Sequence, residues 1–399
     1  MPGERRYSSS LNALRFLAAG VIVFAHVGYY PLVEAGAPKA VLHLLEARSM
    51  ATSLFFVLSG FLLIEVMYHR PTSYWPFLAR RLSRLYPIHV FGFLVMVWVV
   101  CVGGTAPEPW RFLKDAAAWL TLSHGFFPGR AMAYNTPAWA VTSFALGYLV
   151  MPFFRKLGNL STGFLLALLT LLWAFILAPH LLLLAEFPAT FRYAPYDPST
   201  ASLQCTNAIA AMHIFPVTRL WEILFGATLA MLAERASPGG LLVRGLSKDV
   251  AAVGLAAVMT VALVVAWPSN KVFYALVNGL LLPLVALLVV GLWHNRGWVD
   301  RLLKHETMQQ GGRASILMYF LHCPWFAVVC LGVSRLTGLE FPETAFPAPL
   351  FFTALIDFVL LCFWFQRDYD AFCAQLAPPA QGRSAPGLTD PTGLRRQTA

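Results

Sequence analysis

The chain has 399 residues, 58% of them hydrophobic and only 12% charged, with a mean hydropathy of +0.64. Soluble domains run at ~25% charged and ~45–50% apolar, and disordered chains need low hydrophobicity, so both classes are excluded. The formal net charge is +10. In a chain this apolar, such a surplus reads as Lys- and Arg-rich loops on one side of a membrane, and no nucleic-acid partner is expected.

In chain order, apolar runs of spanning length fall at about 11–30, 50–68, 87–104, 137–154, 162–186, 214–233, 249–267, 271–292, 314–334 and 347–366. Each is near the ~20 residues a helix needs to cross the hydrocarbon. The runs are continuous rather than alternating, which excludes a β-barrel. The predicted fold is all-α: a polytopic helix bundle of about ten spans in the bilayer, forming one unit over 1–372, with a Pro-, Gly- and Arg-rich disordered tail over 373–399. Two local alternatives stand beside it. The pair of runs around Pro268 can be one re-entrant hairpin, and 109–124 can be an interfacial helix.

Charge sets the expected direction. With the N-terminus inside, 19 of the 29 Lys and Arg fall in inner segments and 8 in outer ones, leaving Arg15 and Arg219 within spans. This asymmetry predicts both termini in the cytoplasm and a multi-pass inner (plasma) membrane protein. The first run follows Arg5 and Arg6 without a convincing cleavage site, so it is expected to be retained. The six cysteines form no CxxC pair, and they read as small buried apolar residues rather than a zinc or disulfide framework. No metal is expected.

Ionisable groups at membrane depth are costly and therefore informative. They are Arg15, His26, Glu65, His89, Arg219, Glu222, His322 and Asp357. Arg15 and His26 lie eleven residues apart in the first run. On a regular helix this is ~20° past three full turns and ~16 Å of rise, so the two share one face. That layout suits an elongated anionic ligand. Snorkelling of Arg15 to lipid phosphate and capping of a carbonyl by His26 fit equally well. Arg80, Arg81 and Arg84 form a cluster in which Arg81 and Arg84 share a helix face. Guanidinium groups match phosphates bidentately, and they also serve as positive-inside anchors. Ser59 and Gly60 fall mid-span, where helix packing is the ordinary role. Arg219 and Glu222, three apart, can pair on one face as a structural unit. His322 falls near mid-membrane, and Asp357 has no partner evident in sequence.

Six segments taken together resemble the bacterial acyltransferase family 3 of integral membrane O-acyltransferases. They are LNALRFLAAGVIVFAHVG, SLFFVLSGFLL, RRLSRLYP, PAWAVTSFALGYLVMP, RLWEILFGATLA and SILMYFLHCPW, in the family's order across 11–325. The resemblance implies an acyl-CoA-dependent transferase that moves an acyl group, usually acetyl, from cytoplasmic acyl-CoA to a hydroxyl. Its acceptor is commonly a carbohydrate or glycolipid on the outer side. It implies that His26, in the family's Arg-x10-His motif with Arg15, is catalytic. It associates Arg81 and Arg84 with the acyl-CoA donor, and Ser59 and Gly60 with the family's Ser-Gly-Phe segment.

Three departures qualify the match. Phe144 stands where the family has a Glu, Ser53 replaces an acidic group before Leu-Phe-Phe, and Gln366-Arg367-Asp368 replaces a terminal Glu-Arg-Pro-like segment. Glu222 and Asp357 are the acids that can compensate. On this reading CoA phosphates meet Arg81, Arg84 and Arg15, and the pantetheine arm runs along the first span. A neutral His26 then acts as general base, with Glu222 and His322 as further catalytic candidates. Direct transfer and an acyl-His intermediate both stay open. So do a proton-coupled transporter, a non-catalytic binding member, and a secondary metabolite as acceptor. The outer aromatics Trp110, Trp119, Phe126, Phe127, Tyr134, Tyr193 and Tyr196 can stack on sugars or form an interfacial belt. Oligomeric state is not legible.

Overall fold

The computed structural model describes residues 9–69, 73–104, 107–127, 129–187, 203–237, 239–266, 270–338 and 347–377. Of the tail expected over 373–399, residues 373–376 continue the last helix, and the part beyond 377, together with Pro268, Tyr193 and Tyr196, lies outside the described residues.

Among the described residues the structure is a helix bundle without strands. The first span is α1 (Ser9–Val23), a π-helical turn (Phe24–Gly28) and α2 (Tyr29–Glu34). It is followed by the short α3 (Lys39–Glu46), then α4 (Arg48–His69), α5 (Tyr74–Val102), α6 (Pro109–Leu120), α7 (Trp139–Phe154) and α8 (Thr162–Glu186). The second half holds α9 (Leu203–Ile214), α10 (Pro216–Arg235), α11 (Leu241–Leu246), α12 (Asp249–Ala266), α13 (Asn270–Ala275) and α14 (Leu282–His294). It closes with α15 (Trp298–Leu303), α16 (Glu306–Thr337) and α17 (Ala348–Leu376).

Nine of these helical stretches are long and apolar enough to cross a membrane, and the broken pair Lys271–Leu280 and Leu282–His294, bent by 41°, makes ten if it counts as one span. The break within that pair falls at Asn278–Gly279, where Gly279 has φ of +125°, a conformation that glycine alone adopts without strain. Residues 109–120 form a helix outside the set of spans, with Asp115 and Trp119 on its buried side.

Three helices outrun their apolar sequences. The third expected span starts at 87, yet α5 begins at Tyr74 and continues through Pro87. The N-terminal part of α16 (from Glu306) and the C-terminal part of α17 (to Leu376) overhang in the same way. Arg335 near the end of α16 donates to Val102 O at the end of α5, at 2.5 Å. At the other end Arg84 of α5 meets Asp370 of α17 at 2.7 Å. The overhangs of α5 and α17 thus share one side, and they carry Arg80, Arg81, Arg84 and Arg367.

The tightest seam joins α4 to α10. A Cβ at Gly60 would lie 1.8 Å from Ile223 O, and one at Gly226 would lie 1.9 Å from Val57 O. Backbones meet where lipid supplies no hydrophobic drive between helices, so small residues provide the close packing instead. This seam sets the depth at which α4 and α10 present their polar residues to each other.

Candidate active site

The centre of the bundle holds a pair of histidines from opposite ends of the chain. His26 sits in the π-helical turn, an insertion in the helical repeat that is frequent at functional sites. Its Nδ1 lies 2.8 Å from Nε2 of His322 on α16, and the two rings are stacked at 5.1 Å and 12°. His322 Nδ1 lies 3.1 Å from Met318 O, one helical turn back. A carbonyl only accepts, so Nδ1 of His322 carries a proton and its Nε2 carries a lone pair. Nδ1 of His26 must then donate, which leaves the lone pair of His26 on Nε2. One backbone oxygen therefore determines the tautomers of both rings. His322 is fully buried and His26 half-buried, so the bare nitrogen belongs to the more accessible ring. Cys323 adds its sulfur within 4.8 Å of the ligand atoms of both histidines.

Arg15 is linked to this pair by an aromatic wall. Its guanidinium lies 5.1 Å over the Phe55 ring, Phe55 stacks on Tyr319 at 5.4 Å, and Tyr319 meets His322 at 6.4 Å. Arg81 and Arg84 share a face of α5, as their spacing requires, but their surroundings differ. Arg84 is exposed and paired with Asp370 at 2.7 Å, and its backbone carbonyl accepts from Tyr369. Arg81 lies over Phe77 at 5.6 Å and forms no ion pair among the described residues.

A second polar group fills the space between α4, α9 and α10. Arg219 donates to Glu222 Oε1 at 2.7 Å, to His213 O through Nε at 2.7 Å, and to His213 Nδ1 through a terminal nitrogen at 2.7 Å. Ser53 donates to the same Glu222 oxygen at 2.6 Å. Glu222 Oε2 is buried and has no partner among the described residues. Arg219 also lies over Phe56 and Trp139, at 5.9 and 5.7 Å. His213 lies outside the spans, and burial together with the adjacent guanidinium holds it well below the usual imidazole range.

The structure brings together His26, His322 and, across the wall of rings, Arg15, with Glu222 in the neighbouring group. Ser59 and Gly60 are accounted for by helix packing: the Ser59 hydroxyl donates to Phe55 O at 2.7 Å, and Gly60 fills the α4–α10 seam. Asp357 is exposed on α17 and is not part of the site. At the position of the family's Glu, Phe144 packs between Phe56 (4.8 Å) and Phe55 (6.1 Å), so an aromatic cluster stands there. Of the outer aromatics, Trp119 and Tyr134 are buried among Phe93, His89 and His124 and are not available to a ligand, whereas Trp110, Phe126 and Phe127 are exposed. His213, Tyr319 and Asp370 carry no sequence signal. They reach the site through contacts between distant helices or, for His213, through the turn at Phe215–Pro216 that folds α9 back on α10.

Comparison with known proteins adds three findings. Residues 8–367 match the family model described as an acyltransferase domain, that of acyltransferase family 3. A relative named "Acyltransferase MdmB", from Streptomyces mycarofaciens, is 25% identical over 243 residues, which cover 56% of this chain and 57% of the relative's length. No solved structure matches the chain. A helical bundle with spanning helices, a His-centred polar interior and a family match over nearly its whole length lead to one assignment: the chain belongs to the acyltransferase family 3.

Proposed function

We propose that the protein is a membrane O-acyltransferase that moves an acyl group, acetyl in the simplest case, from acyl-CoA to a hydroxyl of a carbohydrate-type acceptor, with His26 as general base. The observation that carries this reading is the Met318–His322–His26 chain of hydrogen bonds. It orients the His26 ring and leaves Nε2 as the lone pair, in the manner of a catalytic base positioned by a third group. His322 is the positioning residue in that arrangement.

The donor would lie on the side of the Lys- and Arg-rich overhangs, the cytoplasmic side by charge asymmetry. Arg81 and Arg84 would take CoA phosphates as charge-assisted, bidentate partners. Arg15 and the Phe55–Tyr319 wall would line the path of the pantetheine arm toward His26. At His26, Nε2 takes the proton of the acceptor hydroxyl as its oxygen bonds to the thioester carbon. The tetrahedral intermediate collapses, the carbon–sulfur bond breaks, and the departing CoA thiolate takes the proton back from His26. A positioned base contributes ~10²–10⁴-fold. The buried Arg219–Glu222 pair lies in the neighbouring polar group, where Ser53 of α4 joins it.

The test uses membrane vesicles containing the full chain with labelled acetyl-CoA, measuring CoA formation and label transfer. Wild-type protein is expected to form CoA, and His26→Ala to lose this activity while still binding acetyl-CoA. Normal turnover in His26→Ala would overturn the assignment of the base.

A further inference from the structure

We propose that His26, His322 and Cys323 form a binding site for a soft divalent cation, Zn²⁺ by its donor set, and that the bound ion switches the site off. The effect on turnover rests on the reading of His26 as the base; the binding does not.

The argument starts from the two imidazoles. His26 Nδ1 and His322 Nε2 meet at 2.8 Å, and the Cys323 sulfur lies within 4.8 Å of a ring nitrogen of each. Tetrahedral zinc with bonds of ~2.0–2.1 Å to nitrogen holds two such nitrogens about 3.3 Å apart. A separation wider by about 0.5 Å therefore lets an ion take the place of the proton between the rings, with the sulfur closing in as the third ligand at ~2.3 Å.

The surroundings of the cluster fit ligation as well. A ligating histidine ordinarily donates its other N–H to a carbonyl or carboxylate, which fixes the tautomer and raises the basicity of the ligating nitrogen. His322 has this arrangement: Nδ1–H donates to Met318 O at 3.1 Å, and Nε2 carries the lone pair. Cys323 is in no disulfide, so its sulfur can serve as a thiolate. His322 is fully buried, whereas His26 and Cys323 are half-buried, so an ion can reach the cluster from their side. Two imidazoles and a thiolate are soft donors, and among the described residues no carboxylate belongs to the cluster. That set selects Zn²⁺ over Mg²⁺ and Ca²⁺, which take oxygen ligands. The sequence shows no metal-ligand spacing because 296 residues separate the two histidines.

The consequence for His26 follows from proton accounting. Its Nδ1 must give up its proton for the ion to bind there, and the ring stays neutral by taking a proton at Nε2. That is the nitrogen on which base catalysis needs a lone pair. Cys323 releases its thiol proton to solvent, so each ion bound frees one proton. The base is thus removed by a change of tautomer, with the ring still in place. Three protein ligands leave the fourth position to water or an anion.

The test uses the purified full chain in detergent and in membrane vesicles, with Co²⁺ as the spectroscopic probe and Zn²⁺ as the inhibitor. Co²⁺ should give a thiolate-to-metal charge-transfer band in wild type. The band should be absent in Cys323→Ser and Cys323→Ala and retained in Cys101→Ala, which removes an exposed thiol elsewhere. Serine keeps the side chain's size, so it decides if the alanine variant does not fold. Zn²⁺ should displace Co²⁺, whereas Mg²⁺ and Ca²⁺ should not. CoA formation from labelled acetyl-CoA is then measured at buffered Zn²⁺, each variant scored against its own rate in chelator. Half-inhibition should need at least ~10-fold more Zn²⁺ in Cys323→Ser than in wild type, a factor that even changes behind the ligands reach in such sites.

A band that is missing from wild type, or that survives in both Cys323 variants, overturns the site whatever the turnover. Equal Zn²⁺ sensitivity in wild type and Cys323→Ser overturns the inhibition. Turnover lost in chelator and restored by Zn²⁺ overturns the inhibition and the reading of His26 as the base together. Wild-type protein that forms no CoA under any of these conditions overturns the proposed acyl transfer, and the Co²⁺ band still decides the site.

Discussion

His26 Nδ1 and His322 Nε2 meet at 2.8 Å although 296 residues of chain separate them. The first and ninth spans are brought side by side to make that contact. α1 and α16 pack so closely that a Cβ on Gly312 would lie 2.4 Å from the Asn12 side chain, and one on Gly311 would lie 2.4 Å from the Phe16 ring. The relationship sets the tautomer of the proposed base, and its consequences can be measured.

Removing His322 should disorient His26 without removing it. His322→Ala is expected to lower kcat for CoA formation by ~10²–10⁴-fold with little change in acetyl-CoA affinity. Because the two rings act as a unit, the double variant with His26→Ala should be no worse than His26→Ala alone. Additive losses in the double variant would show that His322 works independently of His26.

The two arginines of the proposed donor site should not be equivalent. Arg84 is shared with Asp370, whereas Arg81 has no ion pair among the described residues. A hydrogen bond to a charged group is worth ~1.5–3 kcal/mol, so Arg81→Ala should weaken acyl-CoA binding by ~10–100-fold. Arg84→Ala should weaken it less, and titration calorimetry with a non-hydrolysable acyl-CoA analogue distinguishes the two. Equal losses would mean that Asp370 does not compete for Arg84.

The α4–α10 seam should tolerate no added methyl. Gly60→Ala or Gly226→Ala drives a Cβ into a backbone carbonyl, at 1.8 and 1.9 Å. Overpacking costs ~1–3 kcal/mol, seen as a lower thermal midpoint in detergent, and backbone against backbone belongs at the upper end of that range. Gly254→Ala on α12, where a Cβ meets nothing within 4 Å, is the matched control and should keep its midpoint or raise it slightly.

Glu46, on α3 outside the spans, is buried and hydrogen-bonded by Tyr29 at 2.9 Å. Burial pushes its carboxyl from the ordinary 4.5 up to about 7, with the Tyr29 bond and Arg48 opposing the shift. The folded state therefore binds more protons than the unfolded state across this interval, and stability falls as pH rises through it. The contribution of Glu46 is fully present below about 4.5, is lost by the time pH passes about 7, and is flat above that. Thermal midpoints measured from pH 4.5 to 8 should decline less steeply in Glu46→Gln than in wild type. Identical slopes would show that Glu46 does not titrate in this window.

The sequence by itself determined the membrane class and most of the span positions, because each is a local property: an apolar run either is or is not long enough to cross. It also marked Arg15, His26, Arg81, Arg84, Glu222 and His322, since ionisable groups stand out against apolar neighbours. Helix spacing correctly put Arg81 with Arg84 and Arg219 with Glu222, because both pairs lie within one turn of one helix. The idealised helix between Arg15 and His26 was less complete, since a π-helical turn intervenes at Phe24–Gly28. Tertiary structure alone decided which distant groups meet. The contact of His26 with His322, the grip of Arg219 on His213 across the α9–α10 turn, and the burial of Trp119 and Tyr134 all depend on how helices pack. Hydropathy cannot encode those choices, because every helix is apolar on the faces available to lipid and to its neighbours. Direction of hydrogen bonding followed from packing as well: the Met318 carbonyl and the Arg219 guanidinium assign a bare nitrogen to one imidazole and an N–H to the other.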